Sequence, residues 1–400
     1  MTQNELLLIS SSETTLKSTP VRNFLERRVA KHLRIVLSRH GEEPSISRKH
    51  GRIVVTNLKD MSRSVVSASR VFGVAAVIQA VETSTERDAI VDQAVCIGIQ
   101  RIKPGSSFAV RARRLGDHEF TSKELENIIG SRILEAVGRR TIVNLRKPDT
   151  TIYVEVKEDC TYVYTQRIEG PGGLPYGCQG SVVSLFSGSP NSCVSTWLLM
   201  KRGARIIPMY FEEGSDDDTA KDSAIRWLRL IHSTLPARKA TLVVVPFKEV
   251  LEGINRCGQP GFSKVLRQRA MLMAADNVAQ EMSALGIVTG DALSGHRHDM
   301  ERLVLSSLGV STPIYRPLAG LQKDQIVEFG KKSPVCDYFG SGEGESSFIE
   351  MSLDLQHELE LSSDTVSLLK SALASRQTVQ IFPAESSSEA SLPDDQCDSV

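Results

Sequence analysis

Residues 180–192 read Gly180-Ser-Val-Val-Ser-Leu-Phe-Ser-Gly-Ser-Pro-Asn-Ser192, and the chain runs on as Cys193-Val-Ser-Thr-Trp-Leu-Leu-Met-Lys-Arg202. Gly180–Phe186 is a short apolar run bounded by turn residues, the pattern of a buried strand. A helix over Ser192–Arg202 follows, ended by Gly203 at the position that favours glycine. Downstream, strand-like runs at Arg205–Phe211, Thr241–Pro246 and Gly286–Thr289 alternate with helical stretches at Ala220–Leu235, Gly261–Leu285 and His298–Leu308. That alternation predicts an α/β, doubly wound parallel sheet.

Between the first strand and its helix lies Ser187-Gly-Ser-Pro-Asn-Ser192. A hydroxyl-rich turn entering a helix N-terminus can cradle phosphate, because exposed amides and the helix dipole favour an anion. It can equally be a plain strand-to-helix turn. A Walker A loop needs Gly-Lys-Ser/Thr at its end, and none is present; a dinucleotide Gly-x-Gly-x-x-Gly is also absent. What remains is the PP-loop pattern Ser-Gly-Gly-x-Asp-Ser of ATP pyrophosphatases, matched at three of five fixed positions.

Upstream, Gly170-Pro-Gly-Gly-Leu-Pro-Tyr-Gly177 carries four Gly and two Pro in eight residues, the mark of a linker or a tight loop. Before it, residues 3–10, Gly51–Thr56 and Val71–Val81 read as strands. Arg22–Arg39, with Leu25, Val29, Leu33 and Val36 at helical spacing, and Ser62–Arg70 read as helices. This is nearly a ferredoxin-like α+β unit over 1–83, one strand short. A second unit, 84–169, holds a helix at Arg87–Ile102 and a strand at Ser107–Arg113 whose arginines share one face. Thr121-Ser-Lys-Glu124 is a capping box opening a helix over Ser122–Gly138, and strands follow at Thr151–Val156 and Thr161–Ile168.

With 40% hydrophobic and 24% charged residues over 400 positions, the chain is neither disordered, collagen-like nor coiled coil. No apolar run approaches the ~18 residues of a membrane span, and Met1–Ser12 does not resemble a leader, so a cytoplasmic protein without membrane association is expected. Net charge is zero overall. Yet residues 1–180 carry 27 Lys+Arg against 20 Asp+Glu, residues 181–340 carry 19 against 16, and residues 341–400 carry 2 against 12. A basic front suits a polyanion such as nucleic acid, or simply a solvated face. The seven cysteines are irregularly spaced and form no Cys-x-x-Cys, so no zinc knuckle or disulfide scaffold is indicated. His296 and His298, two apart without further Cys or His nearby, read as surface residues, the alternative being a metal or phosphate contact in place of lost groups; no metal ligand set is assigned.

From about Ile102 to Val327 the chain resembles the tRNA 4-thiouridine synthetases (tRNA sulfurtransferases, ThiI type), archaeal-like and with a degenerate PP-loop. The likeness rests on short segments in family order. They are Phe108-Ala-Val-Arg-Ala-Arg-Arg, Phe120-Thr-Ser-Lys-Glu-Leu with Gly130, Leu145-Arg-Lys-Pro-Asp, Ile152-Tyr-Val-Glu-Val and the 170–177 linker. Further on come the PP-loop region to Leu199-Met-Lys-Arg-Gly-Ala-Arg, then Arg269-Ala-Met with Ala275, Val288-Thr-Gly-Asp-Ala-Leu and Arg316-Pro-Leu-Ala-Gly-Leu-Gln-Lys-Asp-Gln-Ile-Val. The resemblance makes residues 84–169 a THUMP domain and 178–345 a PP-loop ATP-pyrophosphatase (adenylation) domain, and composition marks 346–400 as an acidic, Ser-rich tail. That tail holds a helix at Ser362–Ala374 and is loose beyond Pro383.

The implied activity is ATP-dependent adenylation and thiolation of the uridine at position 8 of tRNA. Phosphates would sit on Ser187, Gly188, Ser189, Asn191 and Ser192, and adenine near Met209, Tyr210, Phe211 and Gly290. Gln268, Arg269 and Asp299 complete the implied nucleotide site. Arg111, Arg113, Arg114, Arg132 and Lys147 would meet tRNA phosphates, or form a solvated basic face. Cys336 stands where the family's catalytic cysteine does, near Lys331 and Lys332, or is a free loop cysteine. Cys257 is a candidate resolving thiol, and Cys193 reads as packing more than reactivity. ATP and Mg²⁺ are the implied cofactors. No rhodanese domain is expected, so sulfur would come from sulfide or a persulfide-carrying protein; a homodimer stays open.

The departures fall on the chemistry. Ser189 replaces the loop's second glycine, Asn191 its aspartate, Gln268 a basic residue and Asp299 a glutamine. Lys264 and Arg267 stand where archaeal members often carry Cys-x-x-Cys. The alternative is therefore a tRNA-binding paralogue that has lost catalysis. A third reading, an adenylating enzyme for a small molecule or carrier protein, would not need the basic front.

Overall fold

The computed structural model describes residues 5–13, 17–137, 141–214, 218–237, 240–256, 262–293, 295, 298–331 and 361–382. They divide into two compact units, Met1–Gly172 and Gly173–Val400.

The first unit opens with β1 (Glu5–Ser11), α1 (Thr19–Ser38), β2 (Ser45–Lys49), β3 (Arg52–Thr56), α2 (Met61–Ser69) and β4 (Val74–Thr83). β1 lies between β3 and β4, antiparallel to both. The stripe Val29, Leu33, Val36 of α1 packs on Leu7 and Ile9 of β1. The strand missing from the sequence reading is β2, Ser-Ile-Ser-Arg-Lys, mostly exposed at the sheet edge. With neither face buried, nothing imposes an apolar alternation on it. His50 and Gly51, at φ of 50° and 73°, turn it into β3. Two successive positive φ values make the mirror turn that matches strand twist.

The second half adds α3 (Arg87–Arg101), β5 (Ser107–Arg114), α4 (Ser122–Val137), β6 (Ile142–Val143), β7 (Thr150–Val156), β8 (Thr161–Tyr164) and β9 (Ile168–Glu169). β8 pairs with β4, so both halves share one sheet, ordered β2-β3-β1-β4-β8-β7-β5-β6, with β9 also on β4. The capping box forms as the sequence predicts. Thr121 N donates to Glu124 Oε2 at 2.7 Å and Glu124 N to Thr121 Oγ1 at 3.2 Å. These bonds hold the Glu124 carboxyl below its usual pKa.

The second unit runs β10 (Ser181–Leu185), α5 (Pro190–Lys201), β11 (Arg205–Glu212), α6 (Asp218–Ser233), β12 (Ala240–Pro246), α7 (Lys248–Arg256), α8 (Ser263–Glu281), β13 (Ile287–Val288), α9 (Asp299–Ser306), β14 (Ile314–Tyr315) and α10 (Lys323–Lys331). α11 (Ser363–Ala374) and β15 (Gln377–Ile381) close it. The sheet order is β14-β13-β10-β11-β12-β15, parallel from β14 to β12. The chain winds from β10 outward to β12, then returns to β13 on the other side. The switch point lies between β10 and β13, where a crevice opens beyond the strand C-termini.

One edge corrects the sequence reading. β15 pairs antiparallel with β12, and Leu369, Ala372 and Leu373 of α11 join the core of this unit. Residues 363–381 are thus built into the sheet, although their surroundings are acidic. The average charge hid an apolar stripe at helical spacing. Among the described residues no helix is long and apolar enough to cross a membrane.

Candidate functional site

At the switch point lies a cavity of about 560 Å³, a size suited to a nucleotide. The PP-loop candidate forms one wall. Ser189 is the N-cap of α5, accepting from Ser192 N at 3.5 Å, and Pro190 opens the helix. Ser187 Oγ lies 2.9 Å from Ser189 Oγ and 3.3 Å from Ser192 Oγ, one hydroxyl cluster. Gly188 sits at φ +76°, and a Cβ there would meet the Ala224 amide nitrogen at 2.9 Å, so the turn requires glycine. Behind the loop, Thr196 Oγ1 donates to Ser192 O at 2.6 Å and lies 2.7 Å from Ser184 Oγ, fastening the helix to β10. The arrangement can hold an anion on hydroxyls and the α5 N-terminus.

The opposite wall is α8. Lys264, Arg267, Gln268 and Met271 line the cavity, the i, i+3, i+4, i+7 spacing of one helical face. Arg269 falls off that face and does not line it; its guanidinium is directed towards Gly309, whose Cβ would lie 3.7 Å from it. Tyr210 and Phe211 line the cavity, whereas Met209 is fully buried in the core. Arg267 pairs with Glu213.

A second lining carboxylate besides Glu213 is Asp291, which the sequence reading passed over inside its own quoted Thr-Gly-Asp. Its Oδ1 accepts from Gln268 Nε2 at 2.8 Å; its Oδ2 accepts from Thr289 Oγ1 at 2.7 Å and Arg316 Nε at 3.3 Å. Arg302 Nη1 donates to Gln268 Oε1 at 3.0 Å. Asp299, expected at the nucleotide, instead starts α9, is buried and stands 3.8 Å from Arg302. The N-terminus of α9 favours its charge, and Asp299 does not line the cavity. Motif matching noted Lys264 and Arg267 only as replacements of a Cys-x-x-Cys and assigned Asp291 and Arg302 no role; helical spacing along α8 was the available signal that the first two face the cavity.

Cys193 is buried under the loop, its Sγ 3.6 Å from Gly188 O, and burial pushes its thiol pKa well up. It is packing, not a nucleophile. Cys336, Cys257, His296 and Lys332 lie outside the described residues. His298 Nδ1 pairs with Glu301 at 2.7 Å.

In the first unit the basic face also surrounds a cavity, of about 540 Å³. Arg111 and Arg113 stand opposite Tyr153 and Glu155 in the β5–β7 register, and all four line it with Arg52, Arg146, Tyr164 and Arg167. Tyr153 and Tyr164 stack at 5.0 Å between ring centroids. Burial would raise the Glu155 pKa, but Tyr164 Oη at 2.7 Å and Arg52 at 3.0 Å hold it below the usual value. Arginines beside stacked aromatic rings can bind phosphate and base together. Arg114, Arg132 and Lys147 lie elsewhere. Arg114 donates to His118 O at 2.9 Å, Arg132 pairs with Asp92 at 2.7 Å, and Lys147 belongs to the Asn144 turn.

Three family models match: ThiI ferredoxin-like domain over residues 6–77, THUMP domain over 84–166, and "Thiamine biosynthesis protein (ThiI)" over 177–338. A "Probable tRNA sulfurtransferase" of Methanosarcina acetivorans is 32% identical over 342 residues, covering 84% of this chain and 82% of its own. One of Saccharolobus islandicus with the same name is 30% identical over 337 residues, covering 83% and 87%. In fold the chain is similar to a 4-thiouridine synthetase crystallised as an RNA complex with bound ATP, at TM-score 0.77 and 21% identity over 95% of this chain and 100% of that one. It is similar also to PH1313 from Pyrococcus horikoshii, at TM-score 0.63 and 22% identity over 82% and 99%. The solved structures carry the fold, and identity and coverage with the curated relatives carry the kinship: the chain belongs to the tRNA sulfurtransferase family.

Proposed function

We propose that this protein is an ATP-dependent tRNA sulfurtransferase that converts the uridine at position 8 of tRNA to 4-thiouridine. The observation that carries the reading is the switch-point cavity, with the Ser187–Ser192 loop facing Lys264, Arg267 and Gln268 on one face of α8. The loop hydroxyls and the α5 N-terminus receive the phosphates. Lys264 balances their charge where Gln268 supplies none, Arg267 stands beside it paired with Glu213, and Tyr210 and Phe211 flank the nucleoside. Uridine O4 attacks the α-phosphate of ATP, pyrophosphate leaves, and the oxygen becomes part of a good leaving group. A sulfur nucleophile then takes C4, AMP departs, and a second thiol breaks the remaining S–S bond. Cys336 is the proposed sulfur carrier: a persulfide-carrying protein passes its outer sulfur to the Cys336 thiolate and leaves as its own thiolate, or sulfide opens the disulfide that the resolving thiol formed with Cys336, leaving a persulfide on Cys336 and a free thiol. Arg111 and Arg113, with the Tyr153–Tyr164 stack, are the proposed RNA contacts. Cytoplasmic location is part of this reading, and a homodimer is the assembly to test by light scattering.

The described residues do not fit a resident Mg²⁺. Asn191 carries no charge, Glu213 is committed to Arg267, and Asp291 already accepts from three donors. A Mg²⁺ site normally offers one or two available carboxylates besides the phosphates. No step is therefore assigned to a protein-held metal.

The test is incubation with ATP, Mg²⁺, sulfide and unmodified tRNA, reading 4-thiouridine absorbance and AMP. Both products are expected, and Cys336→Ser should abolish thiolation and its AMP release while leaving pyrophosphate release from the adenylation step largely intact. Retained tRNA binding with neither product in the wild type would replace this reading by the binding paralogue, which the relatives' names do not favour.

A further inference from the structure

Two hairpin turns of the first unit, far apart in sequence, bring a histidine, a carboxylate and a thiol to one point. His50 is the first residue of the β2–β3 turn; Asp159 and Cys160 close the β7–β8 turn, where Lys157 N donates to Cys160 O at 2.8 Å. His50 Nε2 lies 2.8 Å from Asp159 Oδ1 and 3.9 Å from Cys160 Sγ, and one donor atom from each residue falls within 4.8 Å of the others.

The geometry separates two readings. In a Cys-His-Asp relay, thiol and carboxylate occupy opposite ring nitrogens, so that one orients the imidazole while the other exchanges a proton. Here both face the same Nε2. Three donors around one point is the arrangement of metal ligands. For tetrahedral Zn²⁺, bond lengths of ~2.3 Å to sulfur and ~2.05 Å to nitrogen or oxygen set N···S near ~3.5 Å and N···O near ~3.3 Å. The observed 3.9 Å and 2.8 Å bracket those values, the shorter being the direct His50–Asp159 contact, which would open by about 0.5 Å on binding a metal.

A second observation points to the same place. Tyr162, 2% exposed and two residues along from Cys160 on the same strand face, has a buried hydroxyl with no hydrogen-bond partner at ordinary distance. Cys160 and Tyr162 lie in the same buried cluster. A buried phenol left without an acceptor is costly. A metal-bound thiolate would accept from it, as outer-shell donors do at such sites. The His50 and Asp159 side chains are 24% and 60% exposed while Cys160 is buried, which leaves an entry path and room for a water as fourth ligand.

We propose that His50, Asp159 and Cys160 form a binding site for a thiophilic divalent cation of the Zn²⁺ class, clasping the β2–β3 hairpin to the β7–β8 hairpin. The clasp lies beside the basic cavity: Arg52, two residues past His50, is paired with Glu155 at 3.0 Å inside it. Sequence alone does not group these ligands, because 110 positions separate His50 from Cys160.

Metal-free full-length protein, prepared with a chelator, is titrated with Co²⁺ as a spectroscopic substitute for Zn²⁺. The expected result is a thiolate-to-cobalt charge-transfer band that saturates at one equivalent and is displaced by Zn²⁺. His50→Asn, which suits the positive-φ turn, and Cys160→Ser should each lose the band; Tyr162→Phe should keep it with about tenfold weaker affinity. Zn²⁺ should raise the melting temperature of the wild type but not of His50→Asn, so the outcome does not depend on Cys160→Ser folding. A missing band in the wild type, or an undiminished one in His50→Asn, overturns the proposal.

Discussion

Gly290 lies so close to Ser192 that a Cβ on it would stand 2.9 Å from the Ser192 amide nitrogen and 3.0 Å from the Asn191 carbonyl carbon. The end of β13 is therefore pressed onto the first turn of α5, and this contact holds the cavity's two sides in register. Because the obstructing atoms are backbone, a side chain cannot be absorbed by a rotamer change. Gly290→Ala should lower ATP affinity about tenfold and cost about 1–3 kcal/mol of stability. Calorimetric ATP titration and urea unfolding check both. Unchanged ATP affinity would remove the contact from the site.

The helical phase of α8 separates two neighbouring cations. Lys264 faces the cavity and Arg269 does not. Loss of a charge-assisted contact is worth about 1.5–3 kcal/mol, so Lys264→Ala should weaken ATP binding tenfold or more at unchanged melting temperature. Arg269→Ala should lower the melting temperature and leave the affinity of the folded protein near normal. The reverse pattern would mean that the nucleotide binds outside this cavity.

On the RNA side, Arg113 lines the basic cavity while Arg132 is paired with Asp92 on an exposed surface. Affinity for tRNA should fall steeply with salt. For Arg113→Ala the slope of log affinity against log salt should shrink by about 0.7–0.9, the signature of one lost phosphate contact. Arg132→Ala should change it less. Equal slopes in wild type and Arg113→Ala would exclude this face.

His32 is 5% exposed on α1, and burial, then the charges of Arg28 and Lys31, lower its pKa from 6.5 to about 4. Between those values the unfolded chain binds the proton and the folded one does not, so stability falls as pH drops from about 6.5 to about 4. The loss approaches roughly 3 kcal/mol and stops growing below the folded value. Urea unfolding at pH 7 and pH 4.5 should show this component in the wild type and not in His32→Leu. Identical pH dependence in the two would refute the assignment.

Much of this molecule was readable before folding. The capping box at Thr121–Glu124 and the arginine face of β5 follow from local rules, since hydrogen-bond reach and strand alternation act over a few residues. The edge strand β2 was not legible, because an exposed strand has no apolar period to display. Nor was β15, whose partner β12 lies more than a hundred residues earlier.

What the amino-acid order determined by itself is local: which segments become strands and helices, where the loop enters α5, and which segments mark the family. Tertiary structure alone decided which side chains meet. It turned Asp291 rather than Asp299 into the cavity, aimed Lys264 but not Arg269 at it, and brought His50 to Cys160. The reason is that helical phase and sheet pairing convert a one-residue or hundred-residue separation into a direction in space, and chemistry depends on direction.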